Sequence, residues 1–387
     1  MQNFVFENPT KIIFGKGQIA KIGKEVGKFG RKVLMIYGQG SIKRNGVYDQ
    51  VVASIREAGL ELVEFSGVKS NPVLSCALEG IEVAKKEKVD VILAVGGGSV
   101  MDTAKTIAAG ALTDDDVWEY FVYTKAVRSA IPILTVVTIS ASASEMNPAA
   151  VITREDSNQK YSFRSPFVQP KTSILDPTVL FTLSPAYSAY SAVDTIAHML
   201  EPYFVNTEPN SFLQDRLVEG LMKTVMENTD AILKDPEDYE ARANMMWAAI
   251  LGFNGTTTAG MGRIGLPAHM MEHSLSAMYD IAHGAGLSIL LPGWMQYAVE
   301  KYPAKFARLA RNVFDVVEDD DLKAGMAGIG RLKEWFASIG SPVSLGEAKI
   351  PAEDIGKIAK NAAALAQLWG LKDYTEEVIN SILTTCR

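Results

Sequence analysis

The chain has 387 residues, 48% of them hydrophobic and 21% charged, with a formal net charge of −7. That length exceeds one ordinary hydrophobic core and predicts two domains. The acidic balance, with no block of Lys and Arg, excludes nucleic acid as a main partner. Residues 1–9 lack the basic and apolar pattern of a secretory leader, and no apolar run reaches the roughly 18–20 residues of a membrane span. Cys76 and Cys386 lie far apart and form no metal-like pair, so both read as ordinary thiols. A soluble protein of the reducing cytoplasm, with no membrane partner, is expected.

Residues 32–37 form a β-branched run that predicts a buried strand, ending in Gly38-Gln39-Gly40-Ser41 and followed by an amphipathic helix over 48–58. Residues 62–65 predict a second strand and 75–87 a helix. A third strand, 89–95, runs straight into Gly96-Gly97-Gly98-Ser99 and a helix to about residue 110. Residues 131–138 predict a strand that ends in the small-residue run 140–144. Residues 150–153 and 160–163 predict a hairpin, and 173–175 a last strand before Asp176-Pro177. Strands alternating with helices of this length specify a parallel sheet covered on both faces. From about Leu183 onward, segments rich in Ala, Leu, Met and Glu predict helices alone. The expected architecture is an α/β domain over 1–180, of the doubly wound kind that binds dinucleotides, and a helical domain over 181–387.

In such a sheet ligands bind beyond the carboxyl ends of the strands. The glycines before the helix at Val100 let backbone approach a pyrophosphate, whose charge suits a helix N-terminus, and Ser99 is placed to cap that helix. Gly15-Lys16-Gly17-Gln18-Ile19-Ala20 also satisfies a dinucleotide fingerprint, but the acid expected about 20 residues on is missing, so the match reads as accidental. That missing acid matters. A carboxylate 4 Å from a 2′-phosphate would cost up to about 4 kcal/mol at an effective dielectric of 20. Gly38, Gln39 and Ser41, with Lys43 and Arg44 nearby, instead lean toward NADP(H), with NAD(H) as the alternative.

The four histidines, His198, His269, His273 and His283, all fall in the helical half. Asp194 and His198 are four residues apart, hence on one helical face, as are His269 and His273. His283 precedes Gly284-Ala285-Gly286, read as a break that turns it back toward the same cavity. Imidazoles with one carboxylate and no cysteine suit a first-row divalent ion with an open position rather than a closed structural zinc. Spacing alone leaves open whether His269 or His273 is a ligand. Glu272 and Asp280 are candidates for groups behind the ligands.

These residues, together with residues 9–17, 37–46, 96–105, 239–247 and 271–284, resemble the iron-containing (group III) alcohol dehydrogenases, most closely the NADPH-dependent butanol dehydrogenases of bacteria. The resemblance implies a dehydroquinate synthase-like architecture, an active site in the cleft between the two domains and a homodimer. It implies metal ligation by Asp194, His198, His269 and His283, with ferrous iron favoured and zinc the alternative, and a catalytic proton relay at His273. Cofactor contacts are implied at Gly38, Ser41, Gly97, Gly98, Ser99, Asp102, Thr138, Ser142 and Lys160. The chain departs from the family pattern at Ala143, where glycine is usual and an added Cβ is expected to shift the backbone. The implied reaction is hydride transfer between nicotinamide and a short- to medium-chain alcohol or aldehyde of the butanol type. A polyol dehydrogenase, a sugar-phosphate cyclase and a non-catalytic metal- or nucleotide-binding protein are the alternatives.

Overall fold

The computed structural model describes residues 1–208 and 210–387. Its backbone falls into two compact units. One comprises Glu7–Leu183 and Glu237–Met246; the other comprises Met1–Phe6, Ser184–Pro236 and Trp247–Arg387.

The first unit is built on a six-stranded, all-parallel sheet of β1 (Lys11–Phe14), β2 (Lys32–Gly38), β3 (Glu61–Val68), β4 (Val91–Gly96), β5 (Ile133–Val137) and β8 (Thr172–Leu175), in the order β1-β8-β5-β4-β2-β3. The central strands β4 and β5 are buried at every position, which is why they read as continuous apolar runs. β6 (Ala149–Arg154) and β7 (Gln159–Arg164) form the expected hairpin as a separate antiparallel pair. Chain order reverses between β2 and β4, so the crevice beyond their carboxyl ends is the topological switch point of the sheet.

One strand escapes the sequence reading. β1 is a four-residue edge strand, half-exposed, that pairs with β8. The glycine turn that imitates a fingerprint simply ends it. Gly15 donates its N–H to the Leu175 carbonyl at 2.8 Å and Gly17 donates to Asp176 Oδ2 at 2.6 Å, so those donors serve the turn itself.

The second unit is helical. Its longer helices include Pro185–Phe204, Phe212–Lys234, Pro267–Tyr279, His283–Ala298 and Asp321–Ser338. Ser184 caps the first of these through the N–H of Tyr187, with Pro185 in the opening turn where its missing donor costs nothing. Among the described residues, no helix is long and apolar enough to cross a membrane. Both cysteines are free thiols, Cys76 half-buried and Cys386 buried.

Candidate metal centre and nucleotide site

Helix Pro185–Phe204 carries Asp194 and His198 one turn apart, and both are buried. Helix Pro267–Tyr279 presents His269 in its first turn, and His283 opens helix His283–Ala298. The turn that brings His283 back lies before it, not after. Asp280 adopts a left-handed conformation (φ 51°) that closes the preceding helix, and Gly284 and Gly286 are helical. Those two glycines serve close packing: a Cβ on Gly284 would lie 2.1 Å from the Tyr190 carbonyl, and one on Gly286 2.8 Å from Glu272.

Three imidazoles converge on a single oxygen. Asp194 Oδ1 lies 3.3 Å from His198 Nδ1, 3.6 Å from His269 Nε2 and 3.7 Å from His283 Nε2. Among the described residues, Asp194 Oδ1, His198 Nδ1 and His269 Nε2 are buried without a hydrogen-bond partner. Buried polar atoms left in this state are costly. Donors about 2.1 Å from a shared tetrahedral ion would stand about 3.4 Å apart, so these separations fit a divalent ion. His198 stacks on Phe253, ring centroids 4.2 Å apart, which fixes its plane.

The charges are strongly coupled. Burial pushes Asp194 up, but the surrounding imidazoles outweigh it and hold the carboxyl well below its usual range. Burial drives His198 down to about 3. His269 is carried up to about 10: burial opposes this, and Glu201 and Asp194 prevail.

Glu201 was not singled out by sequence. Fully buried on helix Pro185–Phe204, it accepts a hydrogen bond from His269 Nδ1 and others from the backbone N–H groups of Ala268 and His269. Its place seven residues after Asp194 and three after His198 was the available signal. Glu272, also fully buried, receives the Nδ1–H of His283 and the Ser276 hydroxyl. Asp280 is the turn residue just described. His273 is buried, its ring 5.8 Å from that of His283 and edge-on to Trp369 at 5.3 Å.

The residues singled out for a nucleotide are gathered in the other unit. Gly38 ends β2 and Ser41 follows it, Gly97, Gly98 and Ser99 follow β4, and Thr138 and Ser142 follow β5, three strands that are neighbours in the sheet. Gly98 approaches Ser142 so closely that a Cβ would stand 2.6 Å from its hydroxyl. Helix Gly98–Gly110 starts two residues earlier than expected. Ser99 therefore lies inside its first turn and does not cap it; the hydroxyl bonds the Ser70 carbonyl. Asp102 faces inward, receiving the Ser144 hydroxyl at 2.7 Å and the Val151 N–H at 3.1 Å, with its carboxyl raised by burial. Buried Lys160 on β7 donates to Asn71 at 3.2 Å, in the loop after β3. Ala143 adopts a left-handed backbone (φ 50°, ψ 21°), which glycine takes up freely and alanine only with strain.

A doubly wound α/β unit with glycine turns at its switch point, combined with a helical unit, defines the dehydroquinate synthase-like fold class. Within it, the family model described as iron-containing alcohol dehydrogenase matches residues 9–177, and that of the Fe-containing alcohol dehydrogenase C-terminal region matches 188–386. The chain is 40% identical over 385 residues to the probable NADH-dependent butanol dehydrogenase 1 of Bacillus subtilis, covering 99% of each chain. It is 35% identical to the NADPH-dependent aldehyde reductase YqhD of Escherichia coli over the full length of both. The crystal structure of NADH-dependent butanol dehydrogenase A from Thermotoga maritima superposes with a TM-score of 0.96 at 48% identity, covering 99% of this chain and 98% of that one. The chain belongs to the iron-containing alcohol dehydrogenase family and is an oxidoreductase.

Proposed function

We propose that the chain interconverts short- to medium-chain aldehydes and alcohols of the butanol type, using a nicotinamide dinucleotide with NADP(H) preferred. We assign one divalent ion, ferrous iron or alternatively zinc, to Asp194, His198, His269 and His283. The observation that carries this reading is the meeting of three imidazole nitrogens around one buried carboxylate oxygen at metal-sharing distances. The names of the relatives, butanol dehydrogenases and an aldehyde reductase, support the substrate class. The NADP(H) preference rests on the end of β2, which carries Gly38-Gln39-Gly40-Ser41 and no acid. The Glu64 carboxylate on β3 is already held by the hydroxyls of Tyr37 and Tyr48, both at 2.8 Å. The names of relatives divide on this point, NADH-dependent in Bacillus and NADPH-dependent in Escherichia.

When bound, the ion supplies a Lewis acid for the carbonyl oxygen and the dinucleotide supplies the hydride for the carbonyl carbon. The chain's own part is orientation. Asp194 brings the negative charge and the imidazoles present ring nitrogens toward it, while Phe253 holds His198 in plane. The turns holding Gly97, Gly98 and Ser142 admit the pyrophosphate closely, and Lys160 supplies the positive charge beside it. We assign to the His273 imidazole the proton taken up by the reduced oxygen. A homodimer in the cytoplasm completes the proposal.

The test is a panel of C2–C6 aldehydes with NADPH and NADH, run on protein reconstituted separately with ferrous iron and zinc. Turnover that requires the ion and favours NADPH is expected. A strong preference for NADH would overturn the cofactor assignment, and undiminished turnover without any ion would overturn the metal assignment.

A further inference from the structure

We propose that Glu201 is a positioning residue for the metal centre: one carboxylate both starts the helix that carries His269 and fixes which nitrogen of His269 faces the ion. The proposal rests on the metal reading above.

The first turn of any helix leaves backbone N–H groups without intrahelical acceptors. In helix Pro267–Tyr279, Pro267 has no N–H and Leu266 offers no side-chain cap, so the donors left over include those of Ala268 and His269. Both point at Glu201, which reaches in from helix Pro185–Phe204. Oε1 accepts from Ala268, and the His269 N–H lies 3.3 Å from each oxygen. The same Oε2 accepts from His269 Nδ1. In the neutral ring that ligates an ion, a carboxylate acceptor keeps the hydrogen on Nδ1 and leaves the lone pair on Nε2, 3.6 Å from Asp194 Oδ1. Glu201 has no exposed surface, so solvent does not replace it. Asp194, His198 and Glu201 thus stand at i, i+4 and i+7 on one helix, two facing the ion and the third locking the next helix in register.

Glu272 makes the corresponding ring contact to His283, whose side chain keeps 27% exposure, but its second oxygen takes the Ser276 hydroxyl. Glu201 ties backbone and ring together. Glutamine cannot substitute. Its NH2 group would face either His269 Nδ1, forcing hydrogen onto Nε2, or the Ala268 N–H, setting donor against donor.

The experiment strips metal from the full-length protein and titrates Co2+ into wild type, E201Q, H269Q and the double variant, recording the dissociation constant and the Co2+ ligand-field spectrum. Dinucleotide binding by fluorescence serves as the check on folding. Expected is a roughly 10- to 100-fold weaker Co2+ affinity and an altered spectrum in E201Q, and no further loss when E201Q is added to H269Q. Folded E201Q with wild-type affinity and spectrum would overturn the proposal, as would an undiminished second loss in the H269Q background. If E201Q does not fold, E201D, which keeps two acceptors on a shorter arm, is read in its place: an intermediate loss supports the proposal and wild-type affinity overturns it. A wild type that takes up no Co2+ would instead overturn the metal reading underneath.

Discussion

Replacing Glu145 with glutamine should stabilise the protein strongly at alkaline pH and only slightly in mild acid. Glu145 lies in the short turn Ser144–Met146, has no exposed surface, and neither carboxylate oxygen has a hydrogen-bond partner among the described residues. Burial raises its pKa from the ordinary 4.5 to about 7, against partial opposition from nearby Lys105. A folded-state value above the unfolded one means the protonated form is favoured in the fold. That stability is complete below 4.5 and is lost as pH rises through about 7. At about 1.36 kcal/mol per pH unit, ionisation costs the fold about 3 kcal/mol at pH 8 and about 1 kcal/mol at pH 5. Glutamine keeps the shape and removes the charge. Urea unfolding of metal-free wild type and E145Q at both pH values should therefore show a stability difference about 2 kcal/mol more favourable to the variant at pH 8. An equal difference at both pH values, or a variant less stable at pH 8 than at pH 5 relative to wild type, would refute the reasoning.

Ala143→Gly should relieve a left-handed alanine worth about 1–2 kcal/mol while adding unfolded-state entropy of similar size; thermal unfolding within about 1 kcal/mol of wild type is expected, and a loss above about 2 would show that the methyl packs usefully. Gly98→Ala must displace Ser142, because the new Cβ would stand 2.6 Å from its hydroxyl. Dinucleotide affinity should fall about tenfold or more, about 1.4 kcal/mol, with Co2+ affinity unaltered; fluorescence and Co2+ titrations read the two separately. His273→Asn should lower turnover by about 100-fold and change its pH profile, and an unchanged profile at near-normal rate would remove His273 from proton transfer.

Much of the α/β unit was legible because its central strands are buried on both faces and so spell continuous β-branched runs, as in β4 and β5. β1 was not, since a four-residue edge strand with two exposed ends has no such run, and the glycines after it imitate a different motif. The segment Glu237–Met246 was also opaque: most of it opens helix Tyr239–Phe253, and only tertiary contacts assign it to the sheet-containing unit. At the candidate metal centre, helical spacing paired Asp194 with His198 and gathered the histidines. It could not separate His269 from His273, which share a face; Nε2 of His269 lies 3.6 Å from Asp194, whereas the His273 ring packs against His283 and Trp369. Glu201 was invisible for a physical reason as well. Its partner is 68 residues away, and the local trace is confined to its place seven residues after Asp194 on the same helical face. Ser99 misled because a hydroxyl at a helix start reads as a cap, yet the glycine before it already belongs to the helix.

The central claim, that hydride chemistry here depends on an ion held by Asp194 and the three histidines, is tested most directly by measuring bound metal and NADPH-dependent butanal reduction together in wild type and Asp194→Asn. One ion per wild-type chain, lost in the variant, with turnover proportional to occupancy, is the predicted result. Full turnover in a chain carrying no ion would contradict it.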